Sequence, residues 1–132
     1  MSKTYSSVNL IIDGPSGNIE AIREESNGIN IKGVIIVCHP HPLFGGTMQN
    51  KVVHTISRAC LNKSLMVLRF NYRGVGLSEG SFDNGRGELE DTLCIIKYAQ
   101  LHFPELPIWL GGFSFGGGVA IQAAVINKPI AL

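Results

Sequence analysis

The stretch that most constrains this chain is Leu110-Gly111-Gly112-Phe113-Ser114-Phe115-Gly116-Gly117-Gly118. An apolar run, Pro107 to Leu110, leads into it, and a helix-like segment, Val119 to Asn127, leads out. The run from Ile108 to Ile126 carries no charge and approaches the ~20 residues of a membrane span. Its glycines argue against that reading, since each would cost about 1 kcal/mol relative to alanine inside one helix. No basic cluster flanks the run to set an orientation. A strand, a sharp turn and a helix account for the same residues. In such a turn, glycines two before and two after a central serine let neighbouring backbone pass without a Cβ clash, which is the requirement of a nucleophile elbow. The Ser114 hydroxyl would then stand clear of a sheet, at the positive end of the following helix. Backbone N–H groups there could meet a developing oxyanion. Glycine and serine also cluster in ordinary turns, and it is the flanking strand and helix that lift this one above them.

The 132 residues suffice for one domain with a real core, and a hydrophobic content of 45% with 16% charged residues is that of a globular chain. A net charge of +1, with Lys and Arg scattered, offers no nucleic-acid surface and no polybasic membrane anchor. The first residues, Met1 to Ser7, lack the apolar stretch of a secretory signal, so the expected compartment is the cytoplasm. Cys38, Cys60 and Cys94 are odd in number, widely spaced and set in apolar segments; they read as reduced core residues. No His, Cys, Asp and Glu grouping has metal-ligand spacing, and no cofactor is expected.

Val8 to Ile12 and Ile19 to Arg23 read as strands joined by the turn-rich Asp13 to Asn18, with the mixed sides of a sheet edge. Asn27-Gly28 marks a turn. Gly33 to Cys38 is a β-branched run suited to a central parallel strand buried on both faces. After a Pro- and Gly-containing loop, His39 to Gly46, Asn50 to Leu61 reads as a helix with Val52, Val53, Ile56, Ala59 and Cys60 on one side. Leu65 to Phe70 is a strand opening into the loop Asn71 to Gly80. From Glu88 a helical stripe follows, Leu89, Thr92, Leu93, Ile96 and Ala99, with Glu88, Glu90 and Asp91 suiting the positive helix end. Pro104 closes that helix and Pro129 the last one, before Ile130-Ala131-Leu132, which resembles the start of a strand. Alternation of strand and helix from Gly33 onward predicts an α/β fold with a mostly parallel sheet flanked by helices. The loops after its strand C-termini share one rim, which brings the His39 loop, the Arg73 loop and Ser114 together.

Three stretches taken together resemble the α/β-hydrolase superfamily, in particular its small bacterial predicted hydrolases. They are Cys38-His39-Pro40-His41-Pro42-Leu43-Phe44-Gly45-Gly46-Thr47-Met48-Gln49-Asn50, Phe70 to Gly80, and Gly112-Phe113-Ser114-Phe115-Gly116-Gly117. The resemblance spans nearly the whole chain, residues 1–132, and the N-terminal part of the family's fold. It implies a serine hydrolase acting on acyl esters or thioesters, with Ser114 as nucleophile and the amide of Phe115 as one oxyanion donor. For the second donor, Pro40 and Pro42 have no N–H, which leaves His41, favoured by analogy with the family, or Leu43. The His39 and Arg73 loops shape the pocket rim, Arg73 itself more naturally pairing with a carboxylate.

In the superfamily an Asp or Glu and then a His follow the serine. After Ser114 this sequence contains none of the three. The expectation is therefore a domain that stops before the strands carrying the acid and the histidine, with a catalytically inactive remnant or small-molecule-binding module as the competing reading. An upstream substitute would be His39 or His41 as base with Glu79 or Asp83 nearby, whereas the plainer reading has His39 capping its strand and supporting the loop; His54 and His102 read as solvated surface residues. Missing strands would leave the sheet edge near Pro107 to Leu110 uncovered, and such an edge pairs with other chains, so self-association is expected.

Overall fold

The computed structural model describes residues 5–27 and 30–127. The elements are β1 (Tyr5–Gly14), β2 (Gly17–Ser26), β3 (Gly33–Cys38), a 3-10 turn (Pro42–Phe44), α1 (Lys51–Leu61), β4 (Leu65–Phe70), α2 (Arg86–His102), β5 (Ile108–Gly112) and α3 (Phe115–Ile126). The strands form one sheet in the order β1-β2-β4-β3-β5. Gly28 of the expected Asn27-Gly28 turn, the Pro129 stop and the Ile130-Ala131-Leu132 strand lie outside the described residues.

β3 is buried along its whole length and runs parallel to both of its neighbours, β4 and β5. The two-residue strand period divides it between two cores. Val34, Ile36 and Cys38 join the larger one, with Ile95, Ile96 and Ala99 of α2 and Val119, Ala120 and Ala123 of α3. Ile35 and Val37 join Val53 and Leu61 of α1 on the opposite face. A strand covered by helices on both sides has no polar alternation to display, which is why its sequence is an unbroken apolar run.

The sheet is mixed, and this corrects the expectation of a mostly parallel one. β1 pairs with β2 and β2 with β4 in antiparallel sense, and only β4, β3 and β5 run parallel. The alternation behind the parallel reading begins at Gly33; upstream, two strands joined by a very short turn can only be antiparallel. That turn is tighter than the expected six residues. Gly14 pairs with Gly17, leaving Pro15 and Ser16 between them, and Gly17 takes the positive φ of 113° that the bend needs. β1 lies at one edge of the sheet, whereas β2 is interior and buries Ile19, Ala21 and Ile22.

α1 begins where Asn50 caps it, the side-chain oxygen accepting from the N–H of Val52 at 2.9 Å and of Val53 at 3.2 Å. It buries Val53, Ser57 and Leu61. Val52 and Ala59, expected on the inner face, are exposed. Ser57 turns inward because its hydroxyl donates to the Val53 carbonyl at 2.9 Å, which satisfies it within the helix.

α2 starts at Arg86, two residues before the expected position, and its acidic residues do more than face the helix dipole. The Glu88 carboxylate folds back to accept from the N–H groups of Gly85 at 2.8 Å and Asp83 at 3.0 Å. Asp91 points inward and holds Arg73, with Nη2 to Oδ1 at 2.9 Å and the Arg73 backbone N–H to Oδ2 at 2.9 Å. Hydrogen bonding to Asp91 raises the Arg73 pKa further above its ordinary value. Among the described residues no helix is long and apolar enough to cross a membrane.

Breaking this pair leaves a buried guanidinium with only the exposed Glu90 carboxylate, 3.7 Å away. Asp91→Asn is expected to destabilise the fold by about 3 kcal/mol, read in urea as a lower midpoint with an unchanged slope.

Candidate active site

The C-terminal ends of the three parallel strands open on one rim. From β5 the chain passes through Gly112 and Phe113 to Ser114, which is exposed and sits immediately before α3. Ser114 has φ 59° and ψ −121°, a region that non-glycine residues rarely enter. Such a conformation costs on the order of 1–3 kcal/mol and persists only where its surroundings enforce it. Here they do. A Cβ on Gly112 would strike the Gly116 carbonyl, and one on Gly116 would strike the carbonyls of Cys38 and His39. The Phe113 N–H also donates to the Cys38 carbonyl at 3.2 Å, which pins the bend to the end of β3.

α3 starts from this bend, and the bend's own carbonyls take up most of its first amides. Gly116 N–H donates to the Phe113 carbonyl and Gly117 N–H to the Ser114 carbonyl, at 3.0 and 2.9 Å. The N–H of Phe115 takes no acceptor among the described residues. In the loop after β3, the Leu43 N–H donates to Nδ1 of His41 at 3.1 Å. Of the two amides that the prolines leave, Leu43's is therefore engaged, and His41's has no acceptor among the described residues. The His41 ring packs on Phe115, Phe44 and Phe82 with centroids 4.8, 4.8 and 4.9 Å away, joining that loop to the residue after Ser114.

His39 and Arg73, expected at the rim, act from beneath it. His39 is fully buried. Its Nδ1 donates to the Pro40 carbonyl at 2.7 Å, and its Nε2 accepts from the Tyr72 N–H at 3.2 Å. A carbonyl can only accept and an amide can only donate, so the ring is the neutral Nδ1–H tautomer. Burial lowers its pKa to about 4. Arg73, nearly buried, is committed to Asp91. Neither nitrogen of His39 is available to a serine. Nδ1 of His41 accepts from Leu43, so its neutral ring carries the proton on Nε2 and has no lone pair there for a base. Glu79 is held at the β1–β2 turn, accepting from the Asn18 N–H at 2.7 Å. His54 and His102 are exposed, and His102 stacks on Tyr98. The described residues contain no group of three or more His, Cys, Asp or Glu arranged to hold a metal ion.

The sequence reading missed the residues that brace the rim. Asn71, at the end of β4, accepts from the Met48 N–H at 2.8 Å and donates to Glu20 at 2.8 Å. Ser78 donates to the Asn71 carbonyl at 2.7 Å and accepts from the Glu20 N–H at 2.9 Å. Both are polar residues inside a loop, and the only hint of their burial is their place beside an apolar strand.

No family model matches the sequence. An uncharacterized protein of Rickettsia prowazekii is 39% identical over 121 residues, 91% of this chain and 50% of that protein. An α/β serine hydrolase homologue from Coxiella burnetii superposes with a TM-score of 0.89 at 43% identity, covering 92% of this chain and 58% of that one. An α/β serine hydrolase without a lid from Xanthomonas campestris gives 0.89 at 38% identity, over 94% and 58%. This chain is a homologue of the α/β serine hydrolases. It spans about half the length of the curated relative it matches. The mixed sheet and three helices of this α/β serine hydrolase homologue thus match part of the α/β-hydrolase fold, its N-terminal portion.

Because the hydroxyl plays no part in holding the bend, glycine should fit position 114 better than serine. Strain of about 1–3 kcal/mol is relieved, and about 0.4–1 kcal/mol is returned to the freer unfolded chain. Ser114→Gly is expected to raise stability by about 1 kcal/mol, while Ser114→Ala leaves it within about 0.5 kcal/mol. Thermal melts of the two variants beside the parent chain measure the difference.

Proposed function

We propose that the chain provides the nucleophile and oxyanion site of a cytoplasmic serine hydrolase that cleaves small acyl esters or thioesters. The Ser114 oxygen attacks the acyl carbonyl carbon as its proton leaves to a base. The carbonyl oxygen becomes an oxyanion, received by the amides of Phe115 and His41. Collapse expels the alcohol or thiol and leaves an acyl-serine, which water then hydrolyses. The observation that carries this reading is the strained Ser114 backbone between Gly112 and Gly116 at the start of α3. The free thiols of Cys38, Cys60 and Cys94 suit a reducing compartment.

The base and its carboxylate partner are not among the residues after Ser114. We assign them to the part of the fold that this chain's match to its relatives does not reach. Without a histidine, turnover falls by about six decades, and the oxyanion site alone retains about 10³–10⁴ over water. That residue of reactivity still distinguishes the hydrolase from a binding module that shares its fold. A fluorophosphonate probe should therefore modify Ser114 ahead of the exposed Ser7 and Ser81 in the same chain, as read by peptide mass spectrometry. Uptake at Ser114 no faster than at Ser81 would replace the hydrolase reading with the non-catalytic one.

The outer side of β5 favours a partner. Among the described strands β5 lies at one end of the sheet, and beside it Trp109, Ile121, Val125 and Ile126 are 43%, 53%, 66% and 59% exposed. A strand edge next to an apolar helix face attracts another strand. In sedimentation the 132-residue chain is expected to associate with rising concentration; a monomer throughout the range, with a cooperative melt, would remove this proposal.

A further inference from the structure

We propose that His39 is a positioning residue, which aims the His41 N–H at the oxyanion by fixing the plane of the Pro40–His41 peptide. The inference rests on the serine hydrolase reading and extends it to a residue that touches no substrate.

The peptide unit is planar and, with no cis bond among the described residues, its C=O and N–H point in opposite directions. Whatever holds the Pro40 oxygen therefore sets the direction of the His41 hydrogen. That oxygen is held by Nδ1–H of His39 at 2.7 Å. Gly46 lies close against it, so close that a Cβ there would collide with the Pro40 carbonyl. The plane is thus confined by a hydrogen bond and by a backbone contact.

Several other backbone groups of the loop are engaged. The His41 carbonyl accepts from the N–H groups of Phe44 at 3.1 Å and Gly46 at 3.0 Å. Pro42 has no N–H, and the Leu43 N–H is given to the His41 ring. Among the described residues the His41 N–H has no acceptor, and the His41 ring packs against that of Phe115, the residue after Ser114. His41 is half-buried, so its N–H can be offered to a ligand as well as to water.

The anchor of His39 lies outside its own loop. Nε2 takes the Tyr72 N–H at 3.2 Å, and the Tyr72 ring lies 4.4 Å from the imidazole. Tyr72 in turn sits between Asn71, bonded to the Met48 N–H, and Arg73, bonded to Asp91. The orientation of the donor is therefore referenced to the end of β4 and to α2. A loop holding itself by local bonds alone would have no such reference.

The test compares His39→Asn, whose side-chain amide can still donate to the Pro40 oxygen, with His39→Leu, which cannot. An oxyanion donor contributes ~10²–10³ in rate, so misaiming one is expected to slow fluorophosphonate labelling of Ser114 at least about tenfold in His39→Leu, and His39→Asn to recover to within about threefold of the parent chain. His39→Gln, polar but too long for the Pro40 bond, replaces the leucine variant if that does not fold. The backbone amide resonance of His41 is followed alongside. It should keep its position in His39→Asn and move in His39→Leu or His39→Gln. A merely structural role would lower melting temperature in all variants without separating asparagine from the others. Equal labelling of the variants, or an unmoved His41 resonance, overturns the proposal. Failure of the parent chain to label selectively at Ser114 overturns the hydrolase reading, and the His41 resonance then still decides whether His39 aims that amide.

Discussion

The site depends on how closely two backbones approach each other. Gly116, in the first turn of α3, lies against the carbonyls of Cys38 and His39 with no room for a side chain between them. This contact seats the helix on the end of the central strand. It also forces the chain at Ser114 into a conformation it would otherwise leave, and it brings the start of α3 beside the loop after β3. Substrate-facing geometry is thus set by packing in the middle of the sheet. β3 can provide that footing because both of its faces are covered and its neighbours run parallel to it.

Much of this was legible in the residues. Gly33 to Cys38 and Leu65 to Phe70 match their strands end to end, because strands covered on both faces are mostly apolar; Arg69 is the exception in β4, paired there with Glu24. The glycine spacing around Ser114 was legible for a related reason, since a steric requirement leaves few residue types to choose from. The parallel sheet was overextended because the sense of β1 and β2 depends on the length of the turn between them, and Asp13 to Asn18 offered several turn residues without saying which two would bend. The face of α1 was misread in part because Ser57 hides its hydroxyl in the helix while Ala59, small and apolar, loses little by facing water.

Buried polar residues were the least legible. Glu88 and Asp91 lie in the first turns of a helix, where dipole arguments alone explain acidic residues, yet each spends its oxygens on neighbouring chain. Nothing in their spacing distinguishes a solvated carboxylate from one that accepts four hydrogen bonds. The same holds for Asn71 and His39, whose roles follow from what the fold places beside them. Together these groups tie the loop after β4 to the loop after β3, so that the rim is braced by hydrogen bonds as well as by aromatic packing.

The backbone angles at Ser114 also limit which chemistries the position can host. A side chain branched at Cβ is crowded by its own main chain at positive φ. Threonine is thereby shut out, although it carries the same reactive group, whereas cysteine and aspartate, each with an unbranched Cβ, fit the bend. The bend thus selects by branching before it selects by reactivity: an exchange of hydroxyl for thiolate or carboxylate leaves the scaffold intact, while one extra methyl group does not.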